Sequence, residues 1–247
     1  MVRNGFNALD VKNECVNDIK QWFDINGKDC NAVIGISGGK DSTIVAALCV
    51  EALGKDRVIG VMMPNGVQKD INDSKKVIEH LGIKSYNVNI GGSYDNLIAA
   101  IMPVTEQTRI NLAPRLRMAT LYAVSQSNNG RVINTSNASE GFVGYCTRYG
   151  DNVGDYAPLV SLLCGEVIEL GKVLNLPLDL VVKAPSDGLT GMSDEDKMGF
   201  TYEVLDTFIA TGVCEDEEIK NTILNRRDKN LFKSMAMLRY IPSFLMN

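Results

Sequence analysis

Ala32-Val33-Ile34-Gly35-Ile36 is a short apolar run rich in β-branched residues, and it leads directly into Ser37-Gly38-Gly39-Lys40-Asp41-Ser42. A strand without polar alternation is buried on both faces, as happens inside parallel sheets that carry helices on each side. The two adjacent glycines predict a tight turn from that strand into a helix, because glycine takes backbone conformations closed to other residues. A chain containing this unit is constrained to an α/β fold.

The unit recurs along the chain. An amphipathic helix is predicted over 8–22, where Leu9, Val11, Cys15, Ile19 and Trp22 fall mostly three or four apart, with a stop near Asn26-Gly27. A helix over 41–53, Gly54 and an apolar run over 57–63 follow the glycine turn, then a helix over 72–81, Gly82 and a strand over 84–90. Gly91-Gly92-Ser93 reads as a break, 94–128 as helical with starts or kinks at Pro103 and Pro114, and 131–135 as a fourth strand. This alternation gives an open, mostly parallel sheet flanked by helices, Rossmann-like, with right-handed crossovers and ligands at the carboxyl ends of the strands. Beyond residue 137 come a glycine- and tyrosine-rich loop over 141–156, a helix over 166–173, a polar stretch over 186–196 and two or three helices. With no internal repeat and no linker, residues 1–247 are expected to form one domain with a helical C-terminal part.

Charge and cysteine usage remove several classes of function. There are 25 Lys+Arg against 30 Asp+Glu, a net charge of -5 spread without a basic run, which disfavours nucleic-acid binding. The six cysteines, at 15, 30, 49, 146, 164 and 214, show no C-x-x-C spacing and are expected to be free thiols of a reducing cytosol. No stretch approaches the roughly 18–20 apolar residues of a membrane span, so a cytoplasmic protein is expected. The only histidine, His80, excludes Ser-His-Asp and Cys-His triads and His-rich zinc sites, and is expected to be solvated at a helix end.

The segment 37–42 is built for phosphate. Its glycines allow close approach of the backbone, and free N–H groups at a helix start point at an anion. Ser37 and Ser42 add hydroxyl donors. Asp41 would repel a phosphate unless a divalent cation stood between them, which points to a Mg²⁺-nucleotide ligand. It is not a Walker A loop, since Lys40 is followed by Asp41 and Ile34 stands at the first glycine position.

SGGKDS after a strand resembles the pyrophosphate-binding loop of the N-type ATP pyrophosphatases, of the adenine nucleotide alpha-hydrolase-like type. PNGVQKD (64–70), NLAPRLRM (111–118), NTSNASE (134–140), TRYGDNVGDYAPL (147–159) and APSDGL (184–189) lie in the order and spacing of the NAD⁺ synthetases. The resemblance implies an ATP- and Mg²⁺-dependent ligase that amidates deamido-NAD⁺ with ammonia through an adenylated intermediate, releasing AMP and pyrophosphate. It implies ATP contacts from Gly35, Ile36, Ser37, Gly38, Gly39, Lys40, Asp41, Ser42, Thr135 and Ser186. Metal ligation falls to Asp41 and Glu140, and substrate contacts to Arg115, Arg148 and Asp155; no residue is assigned as a general base. A homodimer with substrate near its interface is also implied. The length leaves no room for the glutaminase domain of glutamine-dependent relatives, so free ammonia or a partner's ammonia is the expected nitrogen source.

Two positions depart from the family pattern. Cys164 stands where a phosphate-contacting lysine is common, and a His-Lys pair near the C-terminus is replaced by Met237-Leu238. Lys172, Lys183, Lys233 and Arg239 are candidates for the missing charge. The polar stretch 186–197 is long for a βα loop and is a candidate lid. Other adenylating pyrophosphatases, such as a GMP synthetase ATPase subunit, and a non-catalytic nucleotide-binding module remain as alternatives.

Overall fold

The structure is a computed structural model that describes residues 1–68, 71–182, 193–237 and 239–242. Helix α1 (Ala8–Asn26) precedes β1 (Asn31–Gly35), α2 (Lys40–Leu53), β2 (Val58–Met62), α3 (Ile71–Leu81) and β3 (Lys84–Asn87). Then come α4 (Gly91–Ala100), α5 (Glu106–Ser127), β4 (Gly130–Val132) and α6 (Ala138–Val143). The chain continues with α7 (Cys164–Lys172), α8 (Leu178–Val181), α9 (Asp194–Met198), α10 (Tyr202–Thr211) and α11 (Glu217–Asn230).

The four strands are all parallel, in the order β3-β2-β1-β4. Alternate residues of β1 go to opposite sides: Ala32 and Ile34 join a core formed with α1, α2 and α7, and Val33 joins one formed with α4 and α5. That two-sided burial is the reason the strand lacks polar alternation. Ile34, Ile44 and Leu48 are wholly buried at the first interface, each contributing about 1.5–3 kcal/mol relative to exposure. A third cluster, Val143, Cys164, Met198, Phe200, Tyr202, Leu205 and Ile223, lies among the C-terminal helices and shares Ile168 with the first.

Helix limits follow local chemistry. The Asn7 side chain accepts from the N–H groups of Leu9 and Asp10 at the start of α1, and Gly27 closes its end. Thr105 caps α5 by accepting from the Thr108 N–H. The predicted helix over 94–128 is therefore two helices, with Pro103 in the break and Pro114 inside α5. Gly91 and Gly92 do not break the chain; they form the first turn of α4. The strand expected over 131–135 runs as β4 over Gly130–Val132, and beyond it the chain stays paired through residues 155–156: the Asp155 N–H donates to Val132 O at 2.7 Å and the Asn134 N–H to Tyr156 O at 2.8 Å. The start of the loop expected over 141–156 is helical, in α6.

Consecutive strands step away from β1 on one side as β2 and β3, and the chain then returns to its other side as β4. This reversal creates a crevice at the carboxyl ends of β1 and β4, the place where open α/β sheets bind ligands. The segment 37–42 follows β1 and NTSNASE follows β4, so both enter that crevice from the same sheet edge.

Candidate active site

The turn after β1 is rigidly organised. Gly38 has a φ of +82°, and a Cβ there would lie 2.8 Å from both Asp73 Cβ and Ser74 N at the start of α3, so only glycine fits without strain. Ser37 Oγ accepts from the Gly39 N–H at 3.2 Å and meets Ser42 Oγ at 3.1 Å. Ser42 Oγ and Thr43 Oγ1 both donate to Gly39 O, at 3.1 and 2.8 Å. Lys40, Asp41 and Ser42 form the first turn of α2, whose N–H groups have no partner within the helix and attract an anion.

Glu140 arrives from the other side of the switch point, and Asn137 holds it there. Asn137 is wholly buried and caps α6. Its Oδ1 accepts from the Glu140 N–H at 3.1 Å, its own N–H donates to Glu140 Oε2 at 3.3 Å, and its Nδ2 donates to Asp41 Oδ1 at 3.1 Å. One amide side chain thus fixes both acids. Burial, and next the charge of Asp41, push the Glu140 carboxyl up to about 8 against the opposing effects of Lys40 and the Asn137 N–H. Two acids held this close favour a cation between them, and a pair of carboxylates completed by phosphate oxygens and water is a usual Mg²⁺ set. The donor set fits that ion. Among the described residues no group of three or more His, Cys, Asp or Glu side chains forms an all-protein metal site.

Lys40 is the buried cation of the site. Its side chain is 2% exposed, its Nζ lies 2.9 Å from Asp41 Oδ2, and it sits over the Tyr202 ring at 5.4 Å from the centroid. Burial alone would lower its pKa, but Asp41, Cys164 and Glu140 outweigh that and raise it, so the ammonium is charged. Cys164 opens α7, its N–H donating to Ser139 Oγ at 2.9 Å. Burial pushes its thiol up to about 12, with Lys40 opposing, so Cys164 is neutral. Cys164 therefore carries no charge, and Lys40 is the cation that acts on it. Lys233 donates instead to Gly144 O and Cys146 O at 2.8 and 2.9 Å, Lys172 pairs with Glu169 on the surface, Arg239 is exposed, and Lys183 lies outside the described residues.

Arg115 and Arg148 are brought together: Arg115 Nε donates to Arg148 O at 3.3 Å. The Arg148 guanidinium lies between the rings of Tyr149 and Phe232, at 4.9 and 5.4 Å, and its buried Nε has no partner among the described residues. Asp155 stands apart from that pair. Its Oδ2 accepts from the Val132 N–H at 2.7 Å and its Oδ1 from Tyr122 Oη at 3.3 Å, which ties it to the edge of β4. Thr135 lies between Asn134, whose Nδ2 donates to Asp151 O and Val153 O, and Ser136. Ser186 and the first part of the candidate lid, 186–192, lie outside the described residues; the rest begins α9 behind a Ser193 cap. His80 is exposed at the end of α3, beside Asn175 O.

Asn137 and Tyr202 were not among the residues expected from the sequence. A buried asparagine followed three residues later by glutamate is a capping-box signal that identifies the first. Tyr202 carries no local signal: it reaches Lys40 through the packing of α10 on α6 and α7.

The chain is similar to known proteins along most of its length. Residues 11–240 match the NAD synthase family profile. The chain is 40% identical to the NH(3)-dependent NAD(+) synthetase of Finegoldia magna over 92% of this chain and 94% of that one, and 41% identical to that of Pyrococcus furiosus over 77% and 76%. The structure superposes on NMN synthetase from Francisella tularensis with a TM-score of 0.88 and 34% identity, covering 97% of this chain and 100% of that chain. With NH3-dependent NAD synthetase from Campylobacter jejuni the TM-score is 0.79 at 28% identity, covering 96% and 100%. A chain matched along nearly its whole length by the profile, the relatives and the fold belongs to the NAD synthase family.

Proposed function

We propose that the protein is an ammonia-dependent ligase that converts the nicotinate carboxylate of deamido-NAD⁺ into the amide of NAD⁺, cleaving ATP to AMP and pyrophosphate. The observation that carries it is the meeting of the SGGKDS turn, Glu140 and the buried Lys40 at the β1/β4 switch point, in a member of the NAD synthase family. A carboxylate is a poor electrophile, so it first attacks the α-phosphate of ATP. The acyl-adenylate forms and pyrophosphate leaves; ammonia then displaces AMP. The N–H groups at the start of α2 and the hydroxyls of Ser37 and Ser42 receive the pyrophosphate, whose charge grows as the bond breaks. Asp41 and Glu140 would hold Mg²⁺, which would supply positive charge against the phosphates. Gly35, Ile36 and Thr135 line the nucleotide side of the crevice, and Arg115 and Arg148 present cations to the substrate's phosphates or carboxylate. Positioning and charge carry the rate, and no side chain is assigned as a general base.

Three further assignments belong to this reading. Ammonia is the nitrogen donor, as the relatives' names say of those proteins. The 247 residues work as one catalytic unit in the cytoplasm, and no helix among the described residues is long and apolar enough to cross a membrane. Two copies associate through α4 and α5, where Leu97, Ile101, Met102 and Ile110 are exposed.

The match to NMN synthetase favours a second reading, in which the amidated carboxylate belongs to a mononucleotide. Oxygen labelling tests the shared chemistry. With substrate carrying ¹⁸O in its carboxylate, AMP gains one ¹⁸O; unlabelled AMP would exclude adenylation. Competition between nicotinate mononucleotide and deamido-NAD⁺ in one reaction separates the two substrates by kcat/KM, and preference for the dinucleotide is expected.

A further inference from the structure

The ammonium of Lys40 occupies the position a cation would take beside Asp41. It is buried, 2.9 Å from Asp41 Oδ2, and its charge also acts on Glu140. The Tyr202 ring lies beneath it at 5.4 Å, an electron-rich face that holds an ammonium without satisfying any of its three N–H donors. The ammonium thus has two seats, one on the carboxylate and one on the ring. Asp41, by contrast, is open enough to be reached, with 18% of its side chain exposed, and Asn137 already uses its other oxygen.

We infer that Lys40 is a built-in competitor for the metal ion, which makes divalent-cation binding depend on nucleotide. Without ATP, a unit charge fixed a few ångströms from the acid pair repels a second cation strongly in a partly buried site. The arriving triphosphate offers Lys40 a new anionic partner, and the ammonium moves from Asp41 onto it while keeping the ring beneath. Asp41 is freed in the same step that delivers phosphate oxygens to complete the ion's coordination. Lys40 in this role is a positioning residue. The inference rests on the assignment of Asp41 and Glu140 as metal ligands under the proposed function.

Titration of Mn²⁺ into the nucleotide-free protein, with free ion followed by electron paramagnetic resonance, tests this directly. Wild-type protein is expected to bind weakly, Lys40→Arg equally weakly, and Lys40→Met and Lys40→Gln roughly tenfold or more tightly. The gain should vanish in Lys40→Met combined with Asp41→Asn. Tight nucleotide-free binding by the wild type, an unchanged affinity in Met and Gln variants whose circular dichroism is native, or a gain that survives Asp41→Asn would each overturn the inference. Repeating the titration with a non-hydrolysable ATP analogue separates this from the metal assignment itself. If Asp41→Asn leaves the ternary complex untouched, the ligand assignment falls and the inference with it. If that complex weakens while the Lys40 variants change nothing, only the role of Lys40 falls.

Discussion

Asn137 connects the two acids of the site through three hydrogen bonds, and its substitution tests what they hold together. Asn137→Ala removes a helix cap and a donor to Asp41, and urea unfolding should show a loss of about 1–2 kcal/mol together with a fall in kcat. Asn137→Asp restores the cap but replaces a donor to Asp41 with a third negative charge. Its stability should therefore fall further, because a third carboxylate is buried beside Asp41 and Glu140, and kcat should stay low; wild-type stability and turnover in Asn137→Asp would contradict the role given to this side chain. Gly38→Ala is expected to act through the backbone. With φ at +82° and the start of α3 at 2.8 Å, the new methyl should cost more than about 1 kcal/mol and raise the KM for ATP, measurable by thermal melts and initial rates.

Helix α7 shows how an element is held in place to present its first residue, Cys164, to the site. Glu166 is 1% exposed and accepts from the Leu163 N–H at 2.9 Å, the Arg3 N–H at 3.0 Å and the Arg3 guanidinium at 2.5 and 2.8 Å. Burial would raise its carboxyl, but these donors outweigh it and hold the pKa below the usual glutamate range. A depressed folded-state pKa gives stability that is complete above the ordinary value of about 4.3 and is lost as pH falls through the folded value. Glu166→Gln should cost roughly 1–3 kcal/mol at neutral pH and flatten the acid limb of the stability curve; an unchanged limb would mean the pair carries no linkage. Elements of this kind divide sharply in how legible they are. The β1 strand, the glycine turn and α2 follow from contiguous residues, because burial on two faces and the conformational freedom of Gly38 are written locally. The pairing of residues 155–156 along β4 was not legible, since they come from beyond α6. Nor was the meeting of Lys40 with Cys164, 124 positions apart in sequence, which the packing of α2, α7 and α10 brings about and no local pattern encodes.

In the molecule as a whole, the sheet brings Asp41, Glu140 and the turn over 37–42 to one crevice, while α4 and α5 leave apolar side chains exposed. Only Ala113 and Ser125 of the 22 residues of α5 are fully buried, and its exposed residues, Ile110 among them, are the ones the proposed dimer would cover. Light scattering should report a dimer, and Ile110→Lys should shift it toward monomer with native circular dichroism; a wild-type monomer would remove that assignment. In the proposed chemistry the crevice couples ATP cleavage to amide formation. The most direct measurement incubates the purified protein with ATP, Mg²⁺, ammonium and deamido-NAD⁺ and quantifies NAD⁺, AMP and pyrophosphate together. Equal amounts of all three, lost in Asp41→Ala, are expected. ATP cleaved to ADP, or AMP and pyrophosphate formed without an amidated product from either nicotinate nucleotide, would contradict it.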